Sequence, residues 1–261
     1  MRKIPLVYFL ATTAVASAPM ASTPWRLESG PGRVHVLELF TSEGCSSCPP
    51  ADAYLRTLRE RADLWKAFVP LAYHVDYWNY LGWNDRFSQA AHADRQRAIA
   101  AKWGKGGVYT PAFVLDGSEV GPSGEGVEGQ FSRKEPVGNL VVTRDGNEFR
   151  VRFTPTVLGG RYVARGAVLG SGLSTPVASG ENARTLLRHD FVVLSAVSAP
   201  ATSEGNAFVA ALPALEGKPS VPGTRSLAFW LERDNDPRPV QAVGADVPAI
   251  FFTTFSKKES Q

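Results

Sequence analysis

Cysteine is scarce in this sequence. Only two of its 261 residues are cysteines, so at most one intramolecular disulfide can form, with no spare partner. Charge of one sign is also missing. Twenty-eight basic residues stand against 25 acidic ones, a net charge of +3 with no lysine or arginine run. That balance points away from nucleic acid. There is no internal repeat and no low-complexity tract. Beyond the first residues no segment is long and apolar enough to span a bilayer. No serine-nucleophile motif, phosphate-cradling glycine loop or paired-carboxylate pattern is present. What remains is 44% hydrophobic, enough for one large core or two modest ones.

The N-terminus reads as a cleaved secretory signal. Arg2 and Lys3 supply a positive start, Ile4 to Ala16 an apolar stretch, and Ala14-Val15-Ala16 a small-residue cleavage site. Residues 1–22 are therefore set apart as signal and leader. The mature protein is expected in the periplasm or outside the cell, without stable membrane insertion. In that compartment a cysteine pair is either a structural bridge or a redox centre.

Two textures follow. Residues 33–131 mix strand-like and helix-like segments, and residues 137–255 are β-rich. The stretch between Gly121 and Pro136 is rich in Gly, Ser, Pro and Glu and reads as a linker. Val34 to Phe40 is an apolar run suited to a buried strand. Cys45-Ser46-Ser47-Cys48-Pro49-Pro50 follows, and Ala51, Leu55, Leu58 and Ala62 then recur at helical spacing. Proline is tolerated in a first helical turn, so Cys48 is placed at a helix start. Phe68 to Val75 is a second strand, Ser88 to Trp103 a helix, and Tyr109 to Leu115 a strand leading to an Asp116-Gly117 turn. In the β-rich region, 139–143, 148–153, 161–169, 190–196, 206–212 and 226–233 are strand candidates, a pattern that argues a sandwich.

The chemistry sits at the cysteines. A thiolate at a helix N-terminus is favoured by the helix dipole and by N–H donors. Two intervening residues let the second thiol resolve a mixed disulfide. Cys45 is read as the attacking thiol and Cys48 as the resolving one. The competing reading is a stapling bridge, although so short a loop constrains the unfolded chain little. His74 with two thiolates would make a copper-binding set, but a hydrogen-bonded core histidine is the preferred reading. The aromatic density at Tyr77 and Trp78 suggests substrate contact.

Strand, CxxC at a helix start and a later Thr110-Pro111 opening a strand and hairpin resemble the thioredoxin fold. The resemblance implies a cis Pro111 beside the cysteines, with Thr110 pairing to bound substrate. It also implies that Glu38, one residue further from the first cysteine than is usual, is a buried proton-transfer carboxylate. The stretch Glu38 to Asp52, together with His74-Val75-Asp76-Tyr77-Trp78, Gly82-Trp83, Asp85, Tyr109-Thr110-Pro111, Gly180-Glu181-Asn182 and His189, resembles an uncharacterised family of secreted bacterial thioredoxin-like proteins.

The expected architecture is thus α/β: a thioredoxin-like domain over 33–131, then a β-rich, sandwich-like domain over 137–255. The expected function is thiol–disulfide exchange on protein or small-molecule thiols. Cys45, Cys48 and Glu38 are the catalytic candidates, and Thr110, Pro111, Tyr77 and Trp78 the substrate contacts. No cofactor is required and no metal ligand is assigned. A copper-handling protein and a non-catalytic binding module with an inert bridge stay open as alternatives.

Overall fold

A computed structural model describes residues 25–104, 107–218 and 220–252. The signal and leader segment, 1–22, lies outside the described residues. The central strand β2 (His35–Thr41) is buried along its whole length. It pairs in parallel with β3 (Phe68–His74), equally buried, and antiparallel with β4 (Ala112–Leu115), which turns back into β5 (Ser118–Gly121). Parallel strands covered on both faces read as continuous apolar runs, which is why this part was visible in the sequence.

Side chains alternate across β2. Leu37 and Leu39 pack with Ala51 and Leu55 of helix α1 (Pro49–Thr57) and with Leu58, Phe68 and Phe113. Val36 and Phe40 face the other way, into a core with Ala93 and Ile99 of helix α2 (Ala90–Ala100) and with Trp230 and Ala242. Glu38 shares that second face. Its carboxylate accepts from Arg95 Nε at 2.5 Å, and Arg95 Nη1 reaches Glu232 at 2.7 Å. A third core, built from Leu140, Phe149, Phe153, Leu212, Phe229 and their neighbours, fills the β-rich part.

The α/β class expected from the sequence is not what forms. Helix is confined to α1, α2 and short 3-10 turns, whereas 14 strands are present among the described residues. Twelve of them belong to one mixed sheet. The long strand β11 (Val192–Glu204) is the reason. It pairs in parallel with β3 at Val192 and Ala72, antiparallel with β8 (Tyr162–Ser171), and at its far end with β12 (Ala207–Leu212). Through β12 the sheet continues to β7 (Glu148–Pro155), β6 (Gly138–Asp145) and β1 (Arg26–Glu28), and through β8 to β13 (Thr224–Arg233) and β14 (Asp236–Val247). The early strands are therefore part of a larger β-structure, not a thioredoxin-type α/β layer followed by a separate sandwich. The stretch between the two regions is packed down: Val127 and Phe131 are buried against Phe68 and the α1 side of the sheet.

Two further strands stand apart. β9 (Leu173–Pro176) and β10 (Leu186–His189) form a two-stranded ribbon, and their connecting loop carries Glu181 and Asn182. Among the described residues no helix is long and apolar enough to cross a membrane.

Candidate functional site

The C-terminal ends of β2 and β3 meet the start of α1, and the chemistry gathers there. Cys45 and Cys48 form a disulfide, with Cα atoms 5.4 Å apart. Cys48 is the N-cap of α1, and its carbonyl accepts from the N–H groups of Ala51 and Asp52. Pro49 and Pro50 occupy the first two helical positions and have no N–H. The helix start thus offers its dipole but lacks two of the donors that usually stabilise a thiolate there.

Both cysteines are fully buried, and two elements cover them. On one side Trp78 presses on Gly44, where an added Cβ would lie 3.1 Å from Trp78 Cβ. Trp78 Nε1 donates to Thr110 Oγ1 at 2.7 Å, and the Thr110–Pro111 bond is cis. Tyr77 donates its hydroxyl to Gln96 Oε1, and Gln96 Nε2 donates to the Tyr109 carbonyl. On the other side the β9–β10 loop reaches over. Glu181 accepts from the Ser46 N–H at 3.1 Å, and Asn182 Nδ2 donates to the carbonyls of Glu43 and Cys45, both at 2.9 Å. Ser47 Oγ lies 3.4 Å from Cys45 Sγ. A groove of about 390 Å³ opens beside it, lined by Ser47, Pro50, Ala51, Thr110, Pro111 and Ser123.

The structure therefore brings Cys45, Cys48, Thr110, Pro111 and Trp78 together, with Tyr77 bracing the Tyr109–Thr110 backbone through Gln96. It does not bring Glu38. That carboxylate sits on the sheet face opposite α1, paired with Arg95. Burial pushes the Glu38 carboxyl up despite the arginine beside it.

A second ionisable group lies under the disulfide. Thr41 Oγ1 donates to Asp52 Oδ2 at 3.0 Å. His74, opposite Thr41 in the parallel pair, is fully buried, and its Nδ1 lies 2.7 Å from Asp85 Oδ2. The Glu43 N–H also donates to Asp85 Oδ2, and Trp83 Nε1 donates to Glu43 Oε2 at 2.8 Å. His189 lies between two carboxylates, with Nε2 3.3 Å from Glu43 Oε1 and Nδ1 3.7 Å from Asp52 Oδ1. Both are ion-pair separations without hydrogen-bond geometry. Burial opposes a charge on His189, but Asp52 and Glu43 outweigh it and raise its pKa to about 9. Burial likewise opposes ionisation of Asp85, yet His74 and the N–H groups of Glu43 and Phe87 hold its carboxyl low. One ligand atom from each of Asp52, His74 and His189 lies within 4.8 Å of the other two.

Spacing alone gave His189 no partner, since Glu43 and Asp52 are more than 130 residues away in sequence. The signal that did reach it was the motif resemblance, in which Glu43, Asp52, Asp85, Asn182 and His189 all took part. A separate cavity of about 580 Å³, lined by Arg33, His35, Asp116, Arg133 and Arg238, lies at the opposite end of β2.

Residues 36–230 match the family described as "Protein of unknown function (DUF1223)". Among solved structures, the chain is similar to an X-ray crystal structure of a protein from Agrobacterium tumefaciens. The two are 24% identical with a TM-score of 0.57, over 82% of this chain and 94% of that one. It is also similar to HBP35 of Porphyromonas gingivalis, at 14% identity and a TM-score of 0.57, over 83% of this chain and 76% of that one. These likenesses show a shared fold. No curated relative matches the chain.

Proposed function

The chain belongs to the DUF1223 family of proteins of unknown function, and from that premise we propose that it is a periplasmic or secreted thiol–disulfide exchange protein acting on protein or small-molecule thiols. The observation that carries this reading is the position of the bridge. Cys45–Cys48 closes at the first turn of α1, beside a groove lined by Thr110 and Pro111.

In the reduced form, the Cys45 thiolate attacks one sulfur of a substrate disulfide and expels the other as a thiolate. The Cys48 thiolate then attacks Cys45 Sγ, closing the bridge and releasing the second substrate thiolate. Two electrons pass from the protein dithiol to the substrate, and the reverse sequence oxidises a substrate dithiol. Ser47 Oγ is placed to donate to the Cys45 sulfur. Because both sulfurs are covered, exchange requires the β9–β10 loop to lift, which breaks the three hydrogen bonds made by Glu181 and Asn182.

The test is the equilibrium of the pair with dithiol buffers, together with peptide-disulfide exchange. The expected potential lies above roughly −300 mV, the region below which structural bridges fall. Exchange is expected to vanish in Cys45→Ser and Cys48→Ser. A potential below that region, or exchange that survives either substitution, overturns the reading.

A further inference from the structure

We propose that Asp52, His74 and His189 form a binding site for a divalent first-row transition ion of the zinc class, lying beneath the disulfide and independent of its sulfurs. The argument starts from the charges. Glu43, Asp52 and Asp85 are 0%, 7% and 2% exposed. Among the described residues no lysine or arginine lies within ion-pair distance of any of them; their only ion-pair partners are His74 and His189. Three carboxylates taken out of water with only histidines to balance them are costly, and an ion that displaces the His189 proton would supply more charge than that proton does; buried charges of this kind are found paired or on metals.

The histidines are arranged as metal ligands are. A ligating imidazole usually presents its other ring nitrogen to a carboxylate, which fixes the tautomer and aims the ligand nitrogen. That pattern occurs twice here. His74 Nδ1 is taken by Asp85, leaving Nε2 fully buried with no hydrogen-bond partner. His189 Nε2 faces Glu43, leaving Nδ1 toward Asp52 Oδ1, again without a hydrogen bond. The two rings meet edge to face at 4.8 Å between centroids.

Zinc bonds of about 2.0–2.2 Å place tetrahedral ligand atoms ~3.3–3.6 Å apart. The observed spread of up to 4.8 Å closes to that with side-chain movements of about an ångström. Two imidazoles and one carboxylate suit zinc and its neighbours, not the hard oxygen-seeking cations. Three protein ligands leave a fourth position for water or an incoming group. The elements that deliver them are a buried strand end, the first turn of α1 and the paired strand β10.

The experiment uses the full mature chain with its disulfide intact, stripped by chelator and titrated with Co²⁺, then with Zn²⁺. One equivalent of Co²⁺ is expected, with the intense visible bands of a low-coordinate ion, displaced stoichiometrically by Zn²⁺ and accompanied by a rise in melting temperature. Asp52→Asn and His189→Gln should abolish the bands. Asp85→Asn should weaken binding by about 10–100-fold by releasing the His74 ring. If a substituted chain fails to fold, the titration of the unsubstituted protein still decides. Less than a tenth of an equivalent bound, an octahedral Co²⁺ spectrum, or binding unaltered in Asp52→Asn and His189→Gln would each overturn the site. Binding that appears only after the disulfide is reduced would place the metal on the thiolates and equally overturn it.

Discussion

Arg95 is the best place to test the assignment of Glu38 to the fold. Its guanidinium is 9% exposed and pairs with Glu38 and Glu232, whose side chains are 0% and 3% exposed. Arg165 also reaches Glu232, at 2.6 Å. Arg95 itself lies over the rings of Tyr73 and Trp230. Arg95→Met keeps most of the stem packing and removes the charge. Glu232 retains Arg165, whereas Glu38 loses its only ion-pair partner among the described residues. Breaking a buried pair in this way costs about 3–5 kcal/mol. At roughly 2–4 °C per kcal/mol for a chain of this size, the melting temperature should fall by about 6–20 °C. The loss should also depend on pH. Burial already raises the Glu38 carboxyl, and without Arg95 it rises further. A raised carboxyl binds more protons folded than unfolded, so the variant loses stability as pH increases and recovers part of it on acidification. Urea unfolding of both proteins between pH 5 and pH 8, estimated to bracket the effect, measures this. A loss below about 1 kcal/mol, or one that grows on acidification, would refute the assignment of Glu38 to a buried structural pair. In parallel, Glu38→Gln should leave the reduction potential of Cys45–Cys48 unaltered, because the residue is on the far face of the sheet.

Three further outcomes are expected. Asn182→Ala removes both hydrogen bonds that tie the β9–β10 loop to Glu43 and Cys45, and the disulfide should be reduced faster by dithiothreitol, followed by thiol labelling in stopped-flow. Burial would lower the His35 pKa, but Asp116 at 2.6 Å outweighs this and raises it. That stabilisation is fully present below the unfolded value of about 6.5 and is lost as pH rises through the folded pKa; Asp116→Asn should flatten this part of the stability–pH curve. Gly138 has φ +127°, and an added Cβ would lie 2.5 Å from both Pro155 Cα and Thr154 O in β7. Gly138→Ala should therefore cost about 2 kcal/mol or more in denaturant unfolding, since the close atoms are paired-strand backbone that cannot easily yield.

The buried strands around β2 were legible because coverage on both faces makes them continuous apolar runs. The ten-residue and longer β-strands were legible in part: β8, β11 and β13 begin or end beyond the segments that periodicity marked. β14 escaped altogether. Pro237, Pro239 and Gly244 suppress its strand signal, yet it pairs with β13 alone, and edge strands tolerate proline. The fold class was misread because local pattern cannot report that Val192 will pair with Ala72. The same blindness applies to the site. Period-2 alternation places Glu38 and Leu39 on opposite faces of β2, but which face receives α1 is decided by tertiary packing. Cys45, Cys48, Thr110 and Pro111 were legible from local motif. The cover provided by Glu181 and Asn182, and the pairing of His189 with Glu43 and Asp52, depend on contacts across more than 130 positions.

Strand β11 and the ribbon before it bear on the order in which the molecule assembles. The cysteines emerge early in synthesis, together with β2, β3 and α1. Their lid and one of the histidines beneath them emerge more than 120 residues later. Until β9, β10 and β11 have docked, the sulfurs lie open and the edge of β3 has no neighbour. A chain cut between the two regions would keep both exposures permanently, presenting an unpaired strand edge and an apolar face to other chains. The nascent protein thus passes through an interval in which its thiols are more accessible than they will be again, so the bridge is most easily formed, and most easily misdirected, before the C-terminal half arrives.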